Sequence, residues 1–195
     1  MDKIKIAVFA SGSGSDMQSV IDAVENGKID GRVVAVVTNK EGIYALERAK
    51  KHNIESRVFT LADYKDNVSR DKAISDYLKD KNIDLIVLAG YLAIVTPVLV
   101  DEYAGRIINI HPSLIPKHCG VGMYGLNVHK SVLASGDKES GCTVHYVDHG
   151  ADTGKIIEQR RVPVLEGDSP ESLQARILEV EHVLLPEVVA RLCRE

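Results

Sequence analysis

The chain has 195 residues, 45% of them hydrophobic, which suits one domain with a full core. Its 24 Lys+Arg against 28 Asp+Glu give a net charge of −4 with no block of like charge, which disfavours a nucleic-acid binder. Cys119, Cys142 and Cys193 form neither a C-x-x-C pair nor an even disulfide set, so a reducing, cytoplasmic setting is the simplest expectation.

The basic start runs into "IAVFA", too short for the apolar core of a signal peptide. No apolar stretch approaches the roughly 18 residues of a membrane span. "KIKIAVFA" (3–10) reads as the first strand and ends at "SGSGSD". A helix starts near Asp16, with Met17, Val20, Ile21 and Val24 on one stripe. "RVVAVVT" (32–38) is a wholly apolar strand, "YALERAKKHN" a short helix and "ESRVFT" a third strand. "VSRDKAISDYLKDKN" (68–82) is an amphipathic helix, "IDLIVLAG" (83–90) a strand buried on both faces, and "RIINI" (106–110) the fifth strand. "PSLIPKHCGVGMYG" is a long loop without period, of the kind that is usually functional inside a compact domain. A helix closed by Gly136 follows. "GCTVHYVD" and "GKIIEQRRVPV" are then two strands joined by "HGADTG". Ser169 caps a last helix with Pro170 at its first position, carrying Leu173, Ile177, Val180 and Leu184 as its stripe and Pro186 as a kink. Alternating strands and helices with continuous apolar strands predict an α/β fold. The sheet is Rossmann-like, mostly parallel and covered on both faces, with the last strands giving a mixed edge.

Several stretches invite a functional reading. Gly12, Ser13, Gly14, Ser15 and Asp16 fail the dinucleotide fingerprint, because Met17 stands where the third glycine belongs and Thr38 and Asn39 end the second strand without an acid. A Gly-Ser turn at a helix N-terminus can still present free N–H groups to a single phosphate. Tight chain reversal without a ligand explains the same residues, and both readings stay open. Leu92, Ala93, Ile94 and Val95 follow the fourth strand at the edge where open α/β sheets bind ligands, as a slot for a flat ring. Asn109 and His111 end the fifth strand two residues apart, on one side of it. Neither is a nucleophile. An amide donor beside an imidazole suits a developing oxyanion. Asp148 and Asp152, in a glycine-bearing loop, are candidates to orient His111 or keep it protonated. The remaining histidines, including His129 and His145, are expected to be packed or exposed. No metal spacing occurs among them, so no metal is expected.

Taken together, "FASGSGSDMQSVIDA", "VLAGYLAIVTP", "RIINIHPSLIPK", "GCTVHYVDHGADTGKII" and "LQARILEVEH" resemble the 10-formyltetrahydrofolate-dependent formyltransferases, in the branch that formylates glycinamide ribonucleotide for purine synthesis. The resemblance covers nearly the whole chain. It implies that Asn109, His111 and Asp152 are catalytic and that the turn Gly12–Asp16 holds the substrate phosphate. It further implies that Glu181 contacts glycinamide ribonucleotide and that Leu92–Val95 bind the pterin of 10-formyltetrahydrofolate. The loop Asp148, His149, Gly150, Ala151 and Asp152 would close over the same ring. The chain departs from the pattern at Asp16, where many relatives carry Asn, and at Cys119, where many carry Pro. It also departs at "DNVSRD", where many carry an Arg for the folate tail and only Arg70 stands nearby, and in its longer loop after Lys117. The implied reaction is direct attack by the amine, with Asn109 and a protonated His111 donating to the oxyanion and Asp152 holding His111 cationic. Small-molecule substrates, no metal and no nucleic acid, and a monomer or homodimer go with that reading. Formyltetrahydrofolate hydrolysis and a non-catalytic nucleotide-binding domain are the alternatives.

Overall fold

A computed structural model describes residues 3–194. Seven strands form one sheet in the order β3-β2-β1-β4-β5-β6-β7. They are β1 (Ile4–Ala10), β2 (Gly31–Thr38), β3 (Glu55–Val58), β4 (Leu85–Leu88), β5 (Ile107–His111), β6 (Glu139–Tyr146) and β7 (Ile156–Pro163). Strands β1 to β5 pair in parallel; β6 and β7 add the antiparallel edge that the sequence predicts. The helices are α1 (Ser15–Glu25), α2 (Tyr44–Lys51), α3 (Asn67–Asp80), α4 (Pro97–Glu102), α5 (Leu126–Ser135) and α6 (Pro170–Leu192).

Alternation along the strands explains the two-sided burial. Ile6, Val8 and Ala10 pack with Met17, Val20, Leu184 and Val188 of α1 and α6, while Ala7 and Phe9 pack with Ile74, Leu78 and Leu99 of α3 and α4. Pro97–Glu102 forms a short helix in a stretch that the sequence reading leaves unassigned, opened by a proline at its start. The last helix runs from Pro170 to Leu192 with Pro186 inside it.

The topology determines where ligands can sit. Chain order reverses between β1 and β4: β2 and β3 lie beyond β1 on one side, β4 and β5 on the other. The crevice at such a switch point, outside the carboxyl ends of the strands, is the ligand position of open α/β sheets. The turn after β1 and the segment after β4 flank it, and β5 ends beside it at His111.

Candidate active site

The first wall of the crevice is the turn Ser11–Ser15. Gly14 caps α1 at φ +71°, a conformation that favours glycine, and a Cβ there would sit 2.9 Å from the Ala45 Cβ. No side chain caps this helix, so the N–H groups of its first turn have no partner from a cap. Arg48 of α2 braces the turn by donating from Nε to the Ser13 carbonyl (2.9 Å) and from its terminal nitrogen to Gln18 (3.1 Å). Free N–H donors, the positive end of a helix and an adjacent guanidinium are groups that suit an anion. Arg48 carries no sequence signal, because only the fold brings α2 against the turn. A groove of about 980 Å³ between α1 and α6 opens beside it, lined by Ser15, Gln18, Arg48 and His182 among others.

Behind the turn lies an acidic cluster. Asp16 is mostly buried; its Oδ1 has no hydrogen-bond partner and lies 3.7 Å from the equally unpartnered Nε2 of His182. Burial raises the Asp16 pKa to about 7. Glu181 of α6 is 6% exposed; burial first, and then the charge of Asp16, push its carboxyl well above the usual range. The sequence reading treats Asp16 as a carboxylate that should repel a dianion. The fold instead removes much of that charge at neutral pH by burying the group beside a second acid.

The second centre is built on β5 and β6. Register places Asn109 opposite His145 and His111 opposite Thr143. Asn109 and His111 share one side of β5, as expected. Asn109 Nδ2 lies 3.1 Å from His145 Nε2, and His145 Nδ1 lies 2.8 Å from the Tyr146 carbonyl. A carbonyl only accepts, so His145 carries a proton on Nδ1 and receives one Asn109 hydrogen at Nε2. The second Asn109 hydrogen is left for a ligand. His111 Nε2 donates to the His118 carbonyl (3.0 Å), which turns Nδ1 towards Asp152 Oδ2 at 3.6 Å. Asp152 Oδ1 is 3.6 Å from His145 Nε2, and its Oδ2 accepts the Gly120 N–H at 2.9 Å. Both imidazole separations exceed hydrogen-bonding range.

Two devices hold these groups in place. Thr143 Oγ1 donates to the Ser113 carbonyl (2.6 Å) and accepts from Ile115 N–H and Gln159, which pins the chain just after His111. Asp152 itself has φ +58°, a left-handed conformation that Asp tolerates better than most residues. The loop can fold back so tightly because the next glycine is Gly154: a Cβ there would lie 1.8 Å from the Tyr146 carbonyl oxygen.

The electrostatics correct one expectation. Burial raises the Asp152 carboxyl, but His145, His111 and the Gly120 N–H outweigh it, and the net pKa falls below the ordinary value. Asp152 is therefore ionised. His111, however, is not held cationic in the ligand-free chain. Burial lowers its pKa, and the His118 carbonyl and Asp152 offset that only in part. The carboxylate acts in the predicted direction but is too distant, at 3.6 Å, to overcome a desolvated ring.

Other predicted residues separate into groups. Leu92 and Ile94 are exposed, at 50% and 70%, on the crevice edge after β4, as a ring slot requires. Asp148 does not face His111: it accepts from Gly150 N–H and Thr153 Oγ1 within its own loop. His149 pairs with Asp101 of α4 at 2.7 Å, while Gly150 and Ala151 are exposed. Arg70 is fully buried against Asp71, so it is not free to hold a folate tail. His145 is packed, as expected, at 2% exposed, and it also stands between Asn109 and Asp152. The signal for it was the alternation of "GCTVHYV", which puts Thr143 and His145 on one face of β6. Among the described residues, Asp22, Glu25 and His52 approach one another closely enough to share an ion, but they lie away from this centre at the ends of α1 and α2.

This fold and this site define a group-transfer enzyme of the α/β class, and comparison with known proteins gives the family: the formyl transferase model matches residues 4–189, and the chain belongs to that family. It is 43% identical to the phosphoribosylglycinamide formyltransferase of Haemophilus influenzae over 95% of this chain and 85% of that one. It is also 43% identical to the trifunctional purine biosynthetic protein adenosine-3 of Chironomus tentans, of whose length it spans 13%. The crystal structure of glycinamide ribonucleotide transformylase 1 from Symbiobacterium toebii superimposes with a TM-score of 0.94 at 38% identity, covering 98% of this chain and 88% of that one.

Proposed function

We propose that the chain transfers the formyl group of 10-formyltetrahydrofolate to the amine of glycinamide ribonucleotide, a step of purine synthesis. The observation that carries the proposal is the chain of contacts Asn109–His145–Asp152–His111 at the end of β5, beside an uncapped helix N-terminus suited to a phosphate. The phosphate would sit on Gly12–Asp16 with Arg48 alongside. Glu181 and Asp16 would face the nucleotide, and Leu92–Val95 with the loop Asp148–Asp152 would enclose the pterin.

In this reading the neutral amine attacks the formyl carbon. A C–N bond forms, and the carbonyl electron pair moves to oxygen. The free Asn109 hydrogen donates to that oxyanion, an interaction typically worth about 3–4 kcal/mol of barrier. The ammonium proton leaves to the neutral Nδ1 of His111, which Asp152 stabilises once it becomes cationic. The new N–H then donates to the oxygen and passes its proton to N10 as the C–N10 bond breaks. A ring with depressed basicity is well placed for this shuttle, since it neither retains the proton nor needs one beforehand. The reading includes no metal and no nucleic-acid partner, and places the reaction in the cytoplasm by a monomer or homodimer.

The test is to mix the protein with 10-formyltetrahydrofolate, with and without glycinamide ribonucleotide. Formylated ribonucleotide formed only when the amine is present supports transfer. Release of formate without the amine makes the chain a hydrolase, and no turnover makes it a binding domain.

A further inference from the structure

The segment Leu92–Thr96 has no regular secondary structure, yet three side chains from two other places fix its backbone. At its start Ser11 Oγ accepts the Leu92 N–H at 2.8 Å and donates to Asn39 Oδ1 at 2.6 Å. In its middle Arg70 donates to the Ile94 carbonyl at 2.5 Å. At its end Asp71 Oδ2 accepts the Thr96 N–H at 2.6 Å. Arg70 binds Asp71 Oδ1 through two nitrogens, at 3.0 and 2.7 Å, and the two side chains are 2% and 1% exposed.

A buried ion pair is poor evidence for stability, because desolvation offsets its attraction. Geometry is what this pair supplies: each partner spends a remaining polar group on the same segment. Two side chains of that segment do the opposite of its backbone: Leu92 and Ile94 stay half-exposed or more, while Val95 packs on the core and Thr96 is buried. A fixed backbone presenting exposed apolar side chains is a preformed wall for an apolar ring. Ser11 adds a second connection. It is also the first residue of the phosphate turn, and its N–H donates to the Gly90 carbonyl at 3.1 Å.

We propose that Ser11, Arg70 and Asp71 are positioning residues for the folate half of the reaction. They hold the Leu92–Thr96 backbone so that Leu92 and Ile94 meet the pterin without reorganisation, and Ser11 ties that wall to the turn that takes the phosphate. The proposal rests on the reading that Leu92–Val95 contact the ring.

Steady-state kinetics on the full chain test it, with both substrates varied and each variant checked for a cooperative melt. Arg70→Met/Asp71→Leu removes both charges together, so no unpaired ion is left inside. The expected result is a rise of about tenfold or more in KM for 10-formyltetrahydrofolate, with KM for glycinamide ribonucleotide changed by less than about twofold. A merely structural pair would lower the amount of active protein and leave both KM values alone. Ser11→Ala removes one oxygen and should raise both KM values, since it holds both sites. Ile94→Asp serves as the control for the premise. If Ile94→Asp raises the folate KM while the double variant and Ser11→Ala do not, the proposal is wrong and the ring site stands. If Ile94→Asp leaves the folate KM unchanged, the ring lies elsewhere and the proposal falls with its premise. Should the double variant fail to melt cooperatively, Ser11→Ala decides alone: a raised folate KM supports the proposal, and an unchanged one overturns it.

Discussion

Two buried titratable clusters stand on either side of the crevice, and they resolve their charge in opposite ways. In one, Asp152 lies between the rings of His111 and His145 and accepts the Gly120 N–H, so its carboxyl stays ionised despite burial. In the other, burial raises the Asp16 carboxyl to about 7, burial first and then the charge of Asp16 push Glu181 well above the usual range, and the nearby His182 ring has its own basicity lowered by burial first and by Arg48 second. Burial acts the same way on each. The partners differ: donors favour the charged form, a like charge disfavours it. In the proposed function, the proton-transfer site needs a charge in place before substrate arrives, and the site beside the phosphate needs one removed.

The largest effect should come from breaking the first cluster. Asp152→Asn should lower kcat by about 10²–10⁴-fold with substrate KM values largely kept, because the cationic form of His111 loses its partner. His111→Ala should cost about as much as the double variant, since the two act as one unit. An additive loss would mean that they work separately. Asn109→Ala should cost about 10²–10³ in kcat as an oxyanion donor is lost.

A smaller and differently shaped loss should follow Gly14→Val. A β-branched residue at φ +71° is strained and meets Ala45 and Met17 at 2.9 and 3.1 Å. KM for the ribonucleotide should rise far more than KM for the folate, and equal changes would move the phosphate elsewhere. Asp16→Asn sharpens the comparison through pH. The folded-state pKa of Asp16, about 7, lies above the ordinary carboxyl value of 3.8, so its native state binds the proton more tightly. The stability this contributes is complete below pH 4 and is lost as pH rises to 7. The melting temperature of the Asn variant should therefore decline less than that of the wild type across that window, and its ribonucleotide KM should lose its dependence on pH near 7. Parallel curves would show that Asp16 is not the protonated acid. The smallest effect expected is none: a chelator should leave the rate unchanged, and activity lost to it and restored by zinc or iron would overturn the amide–imidazole chemistry.

Much of this was legible in the chain. The apolar strands β1, β2 and β4, the β5 run ending in Asn109 and His111, and the capped start of α6 all follow from periodicity and local chemistry. Period 2 alone puts Asn109 and His111 on one side of a strand. What periodicity could not supply was contact between distant segments. Arg48 reaches the Gly-Ser turn only because α2 packs there, and His145 joins the site only through antiparallel register with β5. The raised Asp16 carboxyl comes from how deeply the start of α1 is buried, which sequence does not show. The His111 misreading has the same origin: sequence shows a carboxylate able to approach, but not the depth of burial it must overcome.

The central claim is that these two clusters hold opposite charge states, and one measurement addresses it directly: the carboxyl titration of ¹³C-aspartate-labelled protein by NMR, assigned with Asp16→Asn and Asp152→Asn. The signal lost in Asp152→Asn should titrate below 3.8, and the signal lost in Asp16→Asn should titrate at about 7. An Asp152 that keeps its proton into the neutral range, or an Asp16 that titrates as an ordinary carboxylate, would contradict the account.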